Sequence, residues 1–370
     1  MDSNYLSDNL FFNTIMAERR SSTKVNYLSV FEDTLSQCIS NSYILDSILS
    51  SKKSFQVYKS PIEIYDLPTS VKKNNILLLN CTSLEAVELI NNISESKTTL
   101  LDFASATTPG GGVLLGSNGQ EEELCRLTSL YLILNSDELK ESYYYPNKRL
   151  AIYKEEALIA DATVVYIPDV KIIKCHEGRR LSKSNYTGIS VIVCAAPNLR
   201  KISPPDNVIL EKYIYERACQ ILKCAIKNDC KNIILGAHGC GAFRNPIEIV
   251  AKAYCNAILE HNRYFDNILL AIPDTDKLDV FGKYCFSRNS GLGEIFSLRR
   301  DYCNKVSSFD AHVPDSVFEK FLSRIAEIRQ NIENLEALSL SNRQKIISGL
   351  LLKETTVMND WHEARAFRRI

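Results

Sequence analysis

The chain of 370 residues is long enough to bury a sizeable core, as two domains or as one large domain with an appendage. Its 44 basic and 44 acidic side chains cancel, which argues against a general nucleic-acid binder, so any anionic ligand must be held locally. No apolar run approaches the ~18–20 residues that would cross a bilayer, and no membrane span is expected.

The first residues, "MDSNYLSDNLFFNTIMAERR", carry early acids and lack a basic n-region, so no secretory signal is expected. The twelve cysteines are scattered without a C-x-x-C pair, and several sit in apolar runs, as Cys194 does in "SVIVCAAP". Reduced, buried thiols in a cytoplasmic protein, nuclear if the source is eukaryotic, account for that usage. A signal-independent export route would leave no mark in such a reading.

Elements follow from the hydrophobic rhythm. "NYLSVFEDTLSQCI" sets Leu28, Phe31, Leu35 and Cys38 on one helical face. "NNILLLN" reads as a strand, and "CTSLEAVELINNI" as a helix opened by a capping box of Thr82 and Glu85. Strands are predicted at "TTLLDFA", "ATVVYIP", "GISVIVCAAP", "KNIILGA" and "DNILLAIP". The helices between them are "VILEKYIYERACQILKCAIKN" and "IEIVAKAYCNAILEH". Alternating elements with near-continuous apolar strands imply an α/β fold: a largely parallel sheet with helices on both faces. Ligands in such folds sit at the carboxyl ends of the strands.

Past residue 289 the strands stop. "PDSVFEKFLSRIAEIRQNIENLEAL" places Phe318, Phe321, Leu322, Ile325, Ile328, Ile332 and Leu335 on one stripe behind a capping box of Ser316 and Glu319. Residues 290–370 therefore read as a helical C-terminal appendage that packs on the main domain or on a protein partner.

Two glycine-rich loops stand at predicted strand ends. In "PGGGVLLGSNGQEEELCR" the bare backbone of Gly110, Gly111 and Gly112 allows N–H groups to converge on an anion, reinforced by the N-terminus of the helix that follows. The loop is neither a Walker A nor a G-x-G-x-x-G motif. The second loop, "GAHGCGAFRNP", offers Gly236, Gly239, Cys240, Gly241 and Ala242 with an aromatic ring, Phe243, that could stack on a sugar or base. Two such loops could flank a diphosphate.

Glu121 and Glu122 are adjacent, about 100° apart on a helix, so they cannot both project in one direction. One can hold hydroxyls while the other meets a reacting bond, and burial beside a like charge would raise one carboxyl toward the range of a general acid. Alone, "QEEELCR" would read as an acid-rich first helical turn; behind a triple-glycine loop it reads as a site.

"GGG", seven residues, then "QEE" resembles the signature of microbial-type poly(ADP-ribose) glycohydrolases, within the macrodomain fold. "LNCTSLEAV", "LLDFASATTPGGGVLLGSNGQEEELCRLTSLYLIL", "AAPN" and "LGAHGCGAFRNP" look like successive blocks of that family, a resemblance over roughly residues 10–285. It implies a macrodomain over 1–289 with a helical N-terminal extension, binding ADP-ribose, poly(ADP-ribose) and ADP-ribosylated proteins. By motif position Glu122 would be the acid/base, Glu121 would orient ribose hydroxyls with help from Gln120, and Phe243 would lie beside the distal ribose. The activity implied is hydrolysis of O-glycosidic bonds of ADP-ribose, on polymer or on modified protein, with no cofactor and no metal. A mono(ADP-ribosyl)hydrolase and a non-catalytic ADP-ribose reader are the alternatives. Asp102 and His238 stand where the family more often has Asn and Trp. Asp102 is compatible with a nearby diphosphate only if it is turned away or bonded to N–H groups.

Other features carry less. Cys175 and His176 are sequence neighbours without a third partner. The other histidines form no H-x-x-x-H or Cys/His ligand pattern, so no structural zinc is expected. "ESYYYPNK" reads as a packed loop, and Arg179, Arg180 and Lys183 as a solvated basic patch.

Overall fold

The computed structural model describes residues 25–285, apart from 60, 65–74, 92–93, 154–158, 160, 176–177, 179, 182–185 and 201–203. The predicted appendage at 290–370, residues 1–24 of the N-terminal extension, and His176 lie outside the described residues.

Helix α1 (Val25–Ser40) buries Phe31, Leu35 and Cys38, as its periodicity requires. Helix α2 (Ser42–Ser54) is opened by Asn41, whose side chain accepts from the N–H groups of Tyr43 and Ile44. The short strand β1 (Gln56–Tyr58) and then β2 (Asn75–Leu79) precede α3 (Ser83–Asn91). Its capping box forms: the Thr82 N–H donates to Glu85 Oε2 at 2.6 Å and the Glu85 N–H to Thr82 Oγ1 at 3.4 Å. Strand β3 (Thr98–Phe103) leads through the first glycine loop into α4 (Gln120–Leu127) and α5 (Leu130–Leu134).

A one-turn helix, Asp137–Leu139, then runs into a π turn, Lys140–Tyr144, and α6 (Tyr145–Tyr153). The tyrosine segment is thus helical, where a loop was predicted. Pro146 has no N–H to give a helical ladder, and the register change of the π turn accommodates it while Tyr143 and Tyr144 enter the core.

The rest alternates as predicted: β4 (Val164–Lys171), β5 (Gly188–Cys194), α7 (Asn207–Lys227), β6 (Asn232–Leu235), α8 (Ile247–His261), β7 (Asn267–Ala271) and α9 (Thr275–Cys285). The seven strands form one sheet in the order β1-β4-β5-β3-β6-β7-β2. From β5 to β2 every pairing is parallel, whereas β4 runs antiparallel to β5 and β1 antiparallel to β4.

Both sheet faces are covered. Leu100 meets a core built from α1–α5, including Phe31, Ile48, Leu84 and Leu124, while its neighbour Leu101 meets the core of α7–α9, including Leu210, Ile221, Val250 and Phe281. Among the described residues nine cysteines are free thiols, seven of them buried and Cys175 and Cys240 partly so. Cys255 departs from the expectation of reduced thiols: it is disulfide-bonded. No helix among the described residues is long and apolar enough to cross a membrane.

Candidate active site

Strands β5, β3 and β6 are adjacent and parallel, so the segments that follow them leave from one edge of the sheet. His238, beyond β6, reaches across the end of β3: its ring lies 5.3 Å from that of Phe103, and its Nε2 is 2.9 Å from the carbonyl of Cys194, the last residue of β5. A carbonyl can only accept, so Nε2 carries the proton and Nδ1 accepts from Tyr254 Oη–H at 2.6 Å. Burial, then the charge of Arg217, push His238 down to about 3, which keeps it in that neutral form. Asn245 fastens the same loops, donating to the carbonyls of Pro197 at 2.8 Å and Gly239 at 3.1 Å. The Leu199 N–H donates to the Phe243 carbonyl at 3.0 Å, so "AAPN" and the second loop form one body.

The first loop is organised around carboxylates. Gln120 opens α4 with both ends of its amide engaged: Oε1 accepts from the Phe103 N–H, and Nε2 donates to the Leu101 carbonyl and Ser83 Oγ. It ties the helix to the end of β3, and these bonds leave it a supporting position rather than a free hand toward a sugar. Glu121 turns inward, 4% exposed, and accepts from the Ser105 N–H through Oε2 at 2.8 Å. Glu122 is half-buried and accepts from the Gly112 N–H through Oε1 at 2.8 Å.

The two side chains start about 100° apart, as the helix requires, yet their oxygens converge on Gly111. A Cβ built there would stand 2.7 Å from Glu122 Oε1 and 2.8 Å from Glu121 Oε2, and Gly111 has φ +57°. Only glycine fits both conditions. Gly119, just before α4, is constrained in the same way, since a Cβ there would overlap Glu122 Oε2. It was not singled out in the sequence, where a helix-preceding glycine is unremarkable.

The N–H groups of the triple glycine do not face an outside anion as predicted. Gly112 donates to Glu122, Gly110 to Glu121, and Gly111 to the Thr108 carbonyl at 3.0 Å. In the second loop, by contrast, the N–H groups of Gly239, Gly241, Ala242 and Phe243 make no hydrogen bond among the described residues. Gly239 has φ +78°, and a Cβ at Gly241 would meet nothing within 4 Å. That run of free donors is the better anion cradle. Ala242 is exposed; Cys240 is half-buried, its thiol pushed up to about 12 by burial. Phe243 is half-buried, and the Arg200 guanidinium lies 6.0 Å from its ring centre.

Beneath the first loop lies a second acidic group. Alternation along β3 turns Asp102 to the same side as Leu100, toward α4. It is 0% exposed, and neither carboxylate oxygen has a hydrogen-bond partner. Burial, then the charge of Glu122, hold its carboxyl well above the usual range. Glu121 is raised as well, by burial and then by Asp102, while the N–H groups of Ser105 and Gly110 pull the other way. No hydrogen bond offsets the shift at Asp102, so of the two it is the carboxyl held more strongly toward its neutral form. It is buried and bonded to no N–H group, so of the two arrangements that would reconcile it with a diphosphate only turning away from the ligand remains open.

Arg126 completes the site from the far end of α4. It is 4% exposed and donates to the Ser117 carbonyl at 2.6 Å and to Asn118 Oδ1 at 2.9 Å, fixing the turn that wraps Glu122. Tyr27 of α1 stacks on its guanidinium at 4.5 Å, and Thr34 Oγ1 donates to its carbonyl. The N-terminal helix therefore supports the glutamate helix directly. Of the predicted basic patch, Arg180 is described, and it pairs with Asp33.

The family description "Microbial-type PARG, catalytic domain" matches residues 31–175, which hold the triple glycine and both glutamates. No curated protein matches the chain. Among solved structures, the poly(ADP-ribose) glycohydrolase of Thermomonospora curvata is similar at TM-score 0.61 and 21% identity, over 70% of this chain and 99% of that one. The same enzyme bound to the inhibitor ADP-HPD matches at TM-score 0.59 and 21% identity, over 70% and 98%. The glycohydrolase of Deinococcus radiodurans in complex with ADP-ribose matches at TM-score 0.53 and 22% identity, over 64% and 96%. Residues 31–175 are thus similar to the microbial-type PARG catalytic domain, and the chain shares the fold of the bacterial glycohydrolases.

Proposed function

We propose that this chain hydrolyses O-glycosidic bonds of ADP-ribose, releasing it from poly(ADP-ribose) or from ADP-ribosylated protein. The observation that carries the reading is the convergence of Glu121 and Glu122 on Gly111 at the strand edge shared with the second loop. The diphosphate would be held by the free N–H groups of Gly239, Gly241, Ala242 and Phe243, with the Phe243 ring beside the distal ribose. ADP-ribose and an analogue are bound in the solved bacterial glycohydrolases of the same fold.

Glu122 is the acid/base of this scheme. Its Oε1 is anchored by the Gly112 N–H, which leaves Oε2, beside Gly119, as the oxygen that moves the proton. It protonates the leaving oxygen at the distal ribose, an oxocarbenium-like centre develops near the diphosphate, and the same carboxylate then takes a proton from the attacking water. Glu121 can accept from a ribose hydroxyl at Oε2, the oxygen beside Gly111, because Oε1 is closed off from solvent. Gln120 positions both by holding α4 to β3.

A pure reader has no use for an acid held in this way. The test is release of free ADP-ribose from poly(ADP-ribose) and, separately, from mono-ADP-ribosylated protein. Release from the polymer supports the glycohydrolase, release from single units alone moves the assignment to a mono(ADP-ribosyl)hydrolase, and tight ADP-ribose binding with no release leaves a binding module.

A further inference from the structure

Helices α7 and α8 run side by side on the sheet face away from the glutamates. At the end of α8 three ligand-type atoms gather: Cys219 Sγ from α7, with a Glu260 carboxylate oxygen and a His261 ring nitrogen from α8, all within 4.8 Å of one another. Thiolate, carboxylate and imidazole are each common ligands of divalent metal ions. Cys219 is a free thiol, 9% exposed, and His261 is 5% exposed, while the Glu260 side chain is 55% exposed and leaves a way in from solvent.

The histidine is already set for coordination. His261 Nδ1 lies 3.0 Å from the Ala257 carbonyl, which can only accept, so Nδ1 carries the proton. The lone pair of the neutral ring is then on Nε2, the nitrogen 3.9 Å from Glu260 Oε1. A backbone carbonyl fixing the far nitrogen is the usual support of a metal-bound imidazole. Tyr215, one turn before Cys219 on α7, donates its phenol O–H to Glu260 Oε2 and so orients the carboxylate from outside.

We propose that Cys219, Glu260 and His261 form a zinc(II) site that clips α7 to the end of α8, with water in the fourth position. Thiolate, imidazole and carboxylate suit a tetrahedral, borderline-soft divalent ion better than a hard one. Binding replaces the thiol proton, which leaves to solvent as the sulfur–zinc bond forms. The site lies at the opposite end of α8 from the second glycine loop, about 20 Å along the helix axis, so its role is structural. The sequence hid it: Cys219 is far from Glu260 and His261 along the chain, and neither spacing resembles a ligand motif.

The test uses the full chain, stripped with a chelator and titrated with cobalt(II) as a spectroscopic stand-in. One equivalent should give a thiolate-to-cobalt charge-transfer band with the intense visible bands of tetrahedral cobalt, and one equivalent of zinc(II) should bleach both. In Cys219→Ser the charge-transfer band should vanish, and in His261→Gln affinity should fall at least about tenfold. Near-UV circular dichroism and a cooperative unfolding transition, unchanged in both variants without metal, show that they fold. Absence of the band in the wild type, or an undiminished band in Cys219→Ser, would overturn the proposal. Neither outcome depends on glycohydrolase activity.

Discussion

Asp102 and Gly111 determine what the glutamates can do. Asp102 is a buried carboxyl raised well above its ordinary range, and the sign of its effect on stability follows from linkage. In the folded state it holds its proton to higher pH than in the unfolded chain, which loses it above about pH 4. The folded state binds more protons, so the stability this group contributes is full below about pH 4 and is lost as pH rises. Asp102→Asn removes the titration, and each unit of upward shift is worth about 1.4 kcal/mol. Thermal unfolding should show the variant more stable than wild type at pH 8, with the margin closing as pH falls toward 4; a constant margin would mean that Asp102 is ionised. Gly111→Ala should reduce turnover by at least about a hundredfold while the protein still folds, because a methyl group there displaces both carboxylates. Steady-state rates beside a circular dichroism spectrum decide that.

Helix α4 acts as a unit, and Arg126 is its far anchor. Replacing it with Met keeps the apolar stem and removes the bonds to Ser117 and Asn118. The expected cost is roughly 1.5–3 kcal/mol in chemical denaturation, with kcat falling more than KM rises, because the turn around Glu122 loosens. Tyr254→Phe should cost about 1–3 kcal/mol by leaving His238 Nδ1 without its donor. At this scale the sequence was informative where periodicity and caps were strong: the Thr82–Glu85 box, the apolar strands and the helices flanking the second loop all form. It was silent on Arg126, whose role depends on a bend that returns Ser117 to the helix end, and on His238, which spans three strand ends. It misjudged the tyrosine segment because no periodicity announces a π turn.

At the largest scale the described residues form a sheet with the candidate site at one edge and helices on both faces. Strand alternation and the two glycine loops made that plan legible, including which strand ends would lie together. Less legible was the division of labour between the loops. Both look like anion cradles in sequence, but the first spends the N–H groups of Gly110 and Gly112 on Glu121 and Glu122, while the second leaves those of Gly239, Gly241, Ala242 and Phe243 without a hydrogen bond among the described residues. Composition cannot separate these, since bare backbone serves either use. The antiparallel direction of β1 and β4 was not legible in the sequence, because buried antiparallel strands are as continuously apolar as parallel ones.

The central claim is that Glu122 moves the proton, and one comparison tests it most directly: ADP-ribose release and ADP-ribose binding in wild type and Glu122→Gln. The amide keeps the size of the side chain, so binding should be retained within about threefold while release falls by at least about a thousandfold, as expected when an acid/base is removed. Release that persists in Glu122→Gln would place the chemistry on another residue and contradict the account.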